Sequence, residues 1–155
     1  MSMEELDNLY GEIILDHFRN PRNAATVDPS DLKAEGYNPF CGDRVVLTAA
    51  LDGDRRIGAV GCNGEGCAIS QASASIMTEL VKTQTLEGAE ALALQFRGIM
   101  QGQELSEAEE DALGELVALK DVRRFPIRIK CALLPWAALQ DAIAEHRSAR
   151  SSAGE

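Results

Sequence analysis

Three of the four cysteines lie where predicted secondary-structure elements meet. Cys41, Cys67 and Cys131 each stand close to glycine or proline, which are typical of turns rather than of helix or strand interiors. Residues at the ends of neighbouring elements can converge at one edge of a sheet, on loops that a rigid scaffold positions. Three dispersed thiols can therefore form one site only in a fold that brings these junctions together.

The hydrophobic pattern predicts one α+β domain without internal repeats. Helices are expected where apolar residues recur every three or four positions, and strands where apolar and β-branched residues run between turns. The predicted helices span residues 4–18, 70–82, 86–100 and 132–147, and a predicted hairpin joins strands at 44–51 and 56–62. Residues 24–43 are turn-rich, residues 63–66 form a loop, and Ser70 is a candidate helix cap. The expected domain covers residues 1–147, and residues 148–155 are expected to be a flexible tail.

Composition and charge disfavour binding to nucleic acid and to membranes. The chain has 155 residues, is 45% hydrophobic and carries a net charge of −10, so it can form a core but disfavours nucleic acid and anionic membranes as partners. No apolar run approaches the ~20 residues that a membrane-spanning helix needs. The first five residues lack the features of a signal peptide, so a reducing cytoplasm is the expected location. In that compartment four cysteines indicate metal ligands or reactive thiols rather than disulfides.

A thiolate and a carboxylate stand two residues apart in the segment Cys41-Gly42-Asp43. Zinc prefers four tetrahedral ligands, chiefly thiolate and imidazole, and it also accepts carboxylate. The glycine between the two side chains would let both turn toward one ion. The spacing of the cysteines matches no compact zinc finger, so the indication of a metal site comes from their shared position at junctions.

The other candidate residues differ in their surroundings. Cys62 falls inside a predicted strand, where a free cysteine usually acts as a small buried hydrophobe. Cys67 precedes a predicted helix, whose N–H groups and dipole favour the thiolate. His17 and His146 lie on predicted helices far from the junctions, and we do not expect either to be a ligand. Six acids and no base occur in residues 104–115, a pattern typical of a solvated helix face.

Three long motifs resemble those of the iron–sulfur cluster assembly proteins of the IscU/NifU-N-terminal fold, and they occur in the same order. They are NPFCGD at 38–43, GEGCAISQASAS at 64–75 and FPIRIKCA at 125–132, and shorter matches are LY at 9–10, DHF at 16–18 and NPRN at 20–23. The resemblance covers about residues 6 to 146. It implies an IscU-like α+β fold with a small antiparallel sheet of about three strands packed against several helices.

Two features resemble the SufU branch of this family. Lys130 stands where the cluster scaffolds usually carry histidine, and an insertion of about residues 101–120 lies between the second and third motif cysteines. The resemblance implies a zinc-dependent sulfurtransferase that takes persulfide sulfur from a SufS-type cysteine desulfurase. By motif, it assigns the metal ligands as Cys41, Asp43, Cys67 and Cys131, and it gives Arg128 a functional role near them. Cys62 departs from the pattern, which commonly has an aromatic residue there.

Three functions stay open at this point. In the first, Cys41 accepts sulfur and passes it to a downstream cluster scaffold; in the second, the same ligands assemble a transient [2Fe–2S] cluster. In the third, zinc only stabilises an interaction module. Lys130 and the insertion favour the first function over the second, and the accessible glycine-flanked thiols favour both over the third.

Two side chains near the motif cysteines have roles that the sequence leaves undecided. Phe40, the large apolar residue of its loop, is predicted to contact the desulfurase or to shield the metal. Arg128 would face away from Cys131 if residues 127–131 formed a straight strand, whereas the resemblance requires Cys131 to turn at the start of the last helix.

Overall fold

The computed structural model describes residues 11–39 and 41–153 and has the expected α+β fold. We number its elements in chain order. They are α1 (Gly11–Arg19), β1 (Leu32–Asn38), β2 (Asp43–Leu51), β3 (Ile57–Glu65), α2 (Ala68–Val81), α3 (Leu86–Met100), α4 (Glu107–Leu113), a 3₁₀ helix (Gly114–Arg124) and α5 (Pro126–Ala153).

The three strands form one antiparallel sheet in the order β1-β2-β3. The predicted hairpin is confirmed as β2 and β3, but β3 continues to Glu65, so the predicted loop at 63–66 is wrong over most of its length. Strand β1 lies in a segment predicted to be only turns. It forms because Leu32 and Asn38 are buried at its two ends while Lys33, Glu35 and Tyr37 face solvent, the alternation of a half-buried strand.

The core lies between the sheet and the helices, with α2 and α5 at its centre. Small residues dominate α2, and ten of its fourteen residues are buried, so the helix can sit close to its neighbours on several sides. From α5, Trp136, Leu139 and Ile143 are buried as predicted, and the Trp136 ring lies 5.5 Å from that of Phe96 in α3. This packing holds the N-terminus of α2 and the first turns of α5 beside the same edge of the sheet.

Helix boundaries differ from the prediction mainly at α5. Helix α3 matches the predicted bounds, whereas α2 begins at Ala68 with Cys67 in the N-cap position, so Ser70 is not the cap. Helix α5 begins at Pro126 rather than at residue 132, because proline suits the first turn of a helix, where its missing N–H is not needed. The helix runs on to Ala153, past the expected boundary at 147, and the flexibility of the tail stays a prediction. The predicted residues 4–10 of the first helix lie outside the described residues.

The insertion packs onto the domain instead of projecting from it. Helix α4 starts with a capping box between Ser106 and Glu109 and keeps its acids largely in solvent, as predicted for this segment. Leu116 and Leu119 of the following 3₁₀ helix are buried in the core. None of the described helices is long and apolar enough to cross a membrane.

His17 of α1 ties the insertion to α2. Its Nδ1 lies 2.7 Å from Ser75 Oγ, and its Nε2 lies 3.0 Å from Glu115 Oε1. Ser75 Oγ already accepts the N–H of Arg22, so its own hydrogen is available for His17 Nδ1, which leaves Nε2–H to donate to Glu115. One buried imidazole therefore links three segments of the chain.

Candidate metal centre

The β1–β2 hairpin loop carries Cys41 at its tip and Asp43 at its base. Asn38 and Asp43 are paired in register, and the Asn38 carbonyl accepts the N–H groups of Cys41 at 3.3 Å and Gly42 at 2.9 Å. Gly42 has a φ of +70°, a left-handed conformation that glycine adopts without strain. This turn allows the side chains of Cys41 and Asp43 to point to the same side, as the sequence predicted.

The N-terminus of α2 closes against Asp43. The Cys67 N–H donates to Asp43 Oδ1 at 2.8 Å, so the first turn of the helix holds the carboxylate. The residue before Cys67 must be glycine, because a Cβ at Gly66 would collide with Asp43 Oδ1 and crowd Ser70 Oγ. Ser70 Oγ lies 3.9 Å from Cys67 Sγ and donates to the Cys67 carbonyl at 3.1 Å.

Helix α5 supplies Cys131 and Arg128 on one face. Cys131 is fully buried, and its Sγ lies 3.4 Å from that of Cys41. Arg128 lies one turn earlier, with Nη1 4.0 Å from Cys41 Sγ. Because residues three apart in a helix are neighbours, the helical start of α5 decides the orientation that the sequence left open.

The structure brings three of the four expected ligands into one group. Ligand atoms of Cys41, Asp43 and Cys131 all lie within 4.8 Å of one another. The Cys67 thiol is not part of this group, although its backbone binds Asp43 directly, so its assignment as the fourth ligand stays a prediction. Cys41 and Cys67 are half-buried, whereas Asp43 and Cys131 are buried.

Hydrogen bonds keep Asp43 ionised despite its burial. Burial alone would raise the pKa of this carboxyl, but the bond from the Cys67 N–H, together with polar interactions of the Cys131 thiol, the Ser70 hydroxyl and the Asn38 amide, holds the pKa below its ordinary value. The same arrangement raises the pKa of the Cys131 thiol, first through burial and then through its bond to the carboxylate. The metal-free centre thus keeps a proton on Cys131, which a metal ion would have to displace.

A cation lies beside the thiols. Burial would lower the pKa of Arg128, but its hydrogen bond with Cys131 and its electrostatic interactions with Cys67, Cys131 and Cys41 raise it. The guanidinium therefore stays charged and can stabilise a thiolate at Cys41.

The remaining candidates lie elsewhere. Cys62 is 5% exposed on β3, and burial raises the pKa of its thiol to about 12, which makes it unreactive. Both ring nitrogens of His17 contact Ser75 and Glu115, and His146 Nδ1 lies 3.1 Å from the Asp31 carbonyl. Phe40 lies outside the described residues, so its predicted interface role is untested.

Sequence reasoning missed two polar residues of the centre, Asn38 and Ser70. Both are buried, and both contact the candidate ligands. A signal was present for each, since a polar residue next to a ligand in a motif often orients that ligand through a hydrogen bond.

The donor set suits a thiophilic metal. Thiolates with one carboxylate oxygen bind zinc in a tetrahedral arrangement and can also hold iron–sulfur clusters. The group lies partly within the protein, with donors to the carboxylate already in place, so the residues present fit such an ion.

Comparisons with known proteins give one consistent family. The family described as NifU-like N terminal domain matches residues 9–132. The zinc-dependent sulfurtransferase SufU of Bacillus subtilis is 44% identical over 140 residues, 90% of this chain and 92% of that protein. The iron–sulfur cluster assembly scaffold protein IscU of Streptococcus pyogenes is 39% identical over 150 residues, 97% of this chain and 92% of that protein.

Two solved structures have the same fold. FiSufU of Fervidobacterium islandicum AW-1 matches with a TM-score of 0.80 at 34% identity, covering 88% of this chain and 97% of that chain. A NifU-like N-terminal protein from Brucella abortus also has a TM-score of 0.80, covering 95% of this chain and 99% of that chain, and at 21% identity it supports the fold alone.

Proposed function

Because the chain belongs to the NifU-like N terminal domain family, we propose that it is a zinc-dependent sulfur carrier of iron–sulfur cluster biogenesis. The observation that carries this proposal is the pair of thiols Cys41 and Cys131, 3.4 Å apart, with Asp43 below them and Arg128 beside them. The similarity to a zinc-dependent sulfurtransferase supports the same function.

Zinc would be held by Cys41, Asp43, Cys67 and Cys131. Three thiolates and one carboxylate around a dication leave a net charge of about −2 on the centre, which makes the sulfurs electron-rich. When bound, the ion keeps the cysteines deprotonated at neutral pH and protects them from oxidation. Arg128 partly balances the charge from the α5 side.

Cys41 is the proposed sulfur acceptor, with a SufS-type cysteine desulfurase as the donor. The Cys41 thiolate attacks the outer sulfur of the desulfurase persulfide, the S–S bond of that persulfide breaks, and the desulfurase cysteine leaves as a thiolate. The outer sulfur and its proton stay on Cys41 as a new persulfide, so no external oxidant or reductant is needed.

The three cysteines differ in their freedom to react. Cys131 is fully buried in α5, and the Cys67 N–H is bound to Asp43. Cys41 is half-buried at the tip of a hairpin loop, next to Gly42. Arg128 is a second catalytic residue in this proposal, because its charge stabilises the Cys41 thiolate that attacks the persulfide.

The partners follow from this chemistry. The proposed desulfurase interface is the loop around Cys41, with Phe40 as a predicted contact, and the persulfide would then pass to a downstream cluster scaffold. A reducing cytoplasm is the proposed location, since three clustered thiols survive there without forming disulfides.

Assembly of a transient [2Fe–2S] cluster on the same residues is the second candidate. The similarity to a cluster scaffold protein over almost the whole chain favours it. The metal content and colour of protein purified without air distinguish the two candidate functions. Colourless protein with one zinc supports sulfur transfer, whereas a brown chromophore with iron and acid-labile sulfide supports the scaffold.

The experiment for sulfur transfer uses labelled cysteine and a desulfurase. The persulfide is mapped by mass spectrometry on the zinc-loaded parent chain and on Cys41→Ser, Cys67→Ser and Cys131→Ser. Cys62→Ser is the matched control, because this cysteine is buried outside the centre. We expect label on Cys41 in the parent and in the control. Label chiefly on Cys67 or Cys131, or full transfer by Cys41→Ser, would show that Cys41 is not the acceptor.

A further inference from the structure

Asn38 connects two candidate ligands that come from opposite sides of the centre. Its side chain is 5% exposed, and its Nδ2 lies 3.4 Å from Asp43 Oδ2 and 3.7 Å from Cys131 Sγ. Asp43 belongs to β2 and Cys131 to α5, so one carboxamide spans the boundary between the sheet and the last helix.

The direction of these two bonds follows from the acceptors. An ionised carboxylate has no hydrogen to give, so only the NH₂ side of the carboxamide can face Asp43 favourably. The same NH₂ group has a second hydrogen, which is available to the Cys131 sulfur. If the carboxamide were turned over, its oxygen would lie against the carboxylate, and that arrangement is repulsive.

The Asn38 backbone adds a third link. Its carbonyl closes the loop by accepting the N–H groups of Cys41 and Gly42, and its register partner is Asp43. One residue therefore sets the position of the loop that bears Cys41 and contacts two further candidate ligands with its side chain.

We infer that Asn38 is the positioning residue of the metal centre, orienting Asp43 and withdrawing electron density from Cys131. The inference rests on the proposed function, because it concerns the same centre. Hydrogen bonds to metal ligands fix their orientation, and their loss typically weakens metal binding 10–100-fold. A hydrogen-bond donor on Cys131 reduces the electron-donating power of that sulfur toward a metal.

Two variants and one control test this inference on purified protein. Asn38→Leu removes both donors at nearly constant size, and Asn38→Ser keeps a polar group that is too short to reach both acceptors. Asn63→Asp is the control, because Asn63 lies on β3 with its amide on Thr26 Oγ1, and that hydroxyl can also donate to a carboxylate. Far-UV circular dichroism of each metal-free protein verifies the fold.

Metal binding supplies the readouts. Zinc affinity is measured by competition with a chromophoric chelator, and cobalt is substituted to record the sulfur-to-metal charge-transfer band. We expect zinc affinity to fall about 10–100-fold in both Asn38 variants and to stay within about threefold in Asn63→Asp. The charge-transfer band should move to lower energy in Asn38→Leu, since a sulfur that loses a hydrogen bond gives up its electron more easily.

Several outcomes would overturn the inference. They are unchanged zinc affinity in the Asn38 variants, reduced affinity with an unmoved band, or a parent chain that binds neither metal. If Asn38→Leu does not fold, Asn38→Ser alone decides by the same two measurements. Failure of the parent to accept sulfur while these shifts occur would instead refute only the proposed function, because both readouts concern the metal alone.

Discussion

Replacing Gly66 by alanine should damage the candidate metal centre, although Gly66 is not itself a candidate ligand. Gly66 has a φ of +154°, and a Cβ there would collide with Asp43 Oδ1. Gly114 is the matched control: its φ is +54°, and a Cβ added there meets no atom within 4 Å. Both substitutions strain the backbone, but only Gly66→Ala displaces the carboxylate.

The expected magnitudes follow from these contacts. Gly114 (φ +54°, ψ −127°) adopts a backbone conformation that is nearly restricted to glycine, and an alanine held in such a conformation costs about 1–3 kcal/mol, which is the whole effect expected for Gly114→Ala. Gly66→Ala adds the loss of the 2.8 Å bond from the Cys67 N–H to Asp43, a bond to a charged group worth about 1.5–3 kcal/mol. We expect Gly66→Ala to lower the free energy of unfolding of the metal-free protein by about 3–5 kcal/mol.

Zinc should separate the two variants further. If displacement of Asp43 weakens zinc binding 10–100-fold, the stabilisation by zinc falls by about 1.4–2.7 kcal/mol at a fixed excess of the metal. Urea unfolding of each protein with and without zinc measures this increment. An increment in Gly66→Ala equal to that in Gly114→Ala, or a loss below about 2 kcal/mol in metal-free Gly66→Ala, would refute the reasoning.

Three further predictions concern the metal-free protein. In urea unfolding, we expect Glu115→Ala to lower the free energy of unfolding by about 1 kcal/mol. His17→Phe should lower it further, by about 1–3 kcal/mol, because this variant also leaves the buried Ser75 hydroxyl without its acceptor, and equal losses in the two variants would contradict the linking role of His17. Iodoacetamide at about pH 8 should label Cys62 only after unfolding, since a thiol with a pKa of about 12 is deprotonated in roughly one molecule in ten thousand; native labelling at the rate of Cys67 would contradict its burial. The lowered pKa of Asp43 stabilises the folded protein above the pKa of an unfolded aspartate, and this stability is lost as the pH falls through the pKa of Asp43 in the folded protein. The free energy of unfolding of the parent should therefore fall more than that of Asp43→Asn between about pH 7 and about pH 3.

The sequence predicted the elements with strong periodicity and failed where tertiary contacts decide. Helix α3 and the β2–β3 hairpin agree with their patterns. Strand β1 was missed because Lys33, Glu35, Gly36 and Asn38 are poor strand formers. These residues become a strand by pairing with β2 and packing against α5, and neither contact is visible in a local window.

The candidate site was partly predictable for a related reason. The Cys-Gly-Asp step is local, and its shared orientation followed from the conformational freedom of Gly42. The sequence left open whether residues 127–131 form a straight strand, whereas in the structure Pro126 starts a helix there and places Arg128 one turn from Cys131. The place of Asn38 in the NPFCGD segment makes it a candidate for orienting a ligand, but which ligands it contacts depends on the packing of β1, β2 and α5 and cannot be read from the sequence.

The closeness of Cys41 and Cys131 also has a consequence for how the molecule is made. These sulfurs belong to residues 90 positions apart, and contacts of such separation form late, because a long loop must close before they can be made. During synthesis the hairpin and α2 leave the ribosome well before α5, so a nascent chain offers only Cys41, Asp43 and Cys67. With the proposed ligand set, the site would be complete only when α5 docks, and tight zinc uptake would then report that the last helix has been synthesised and has packed.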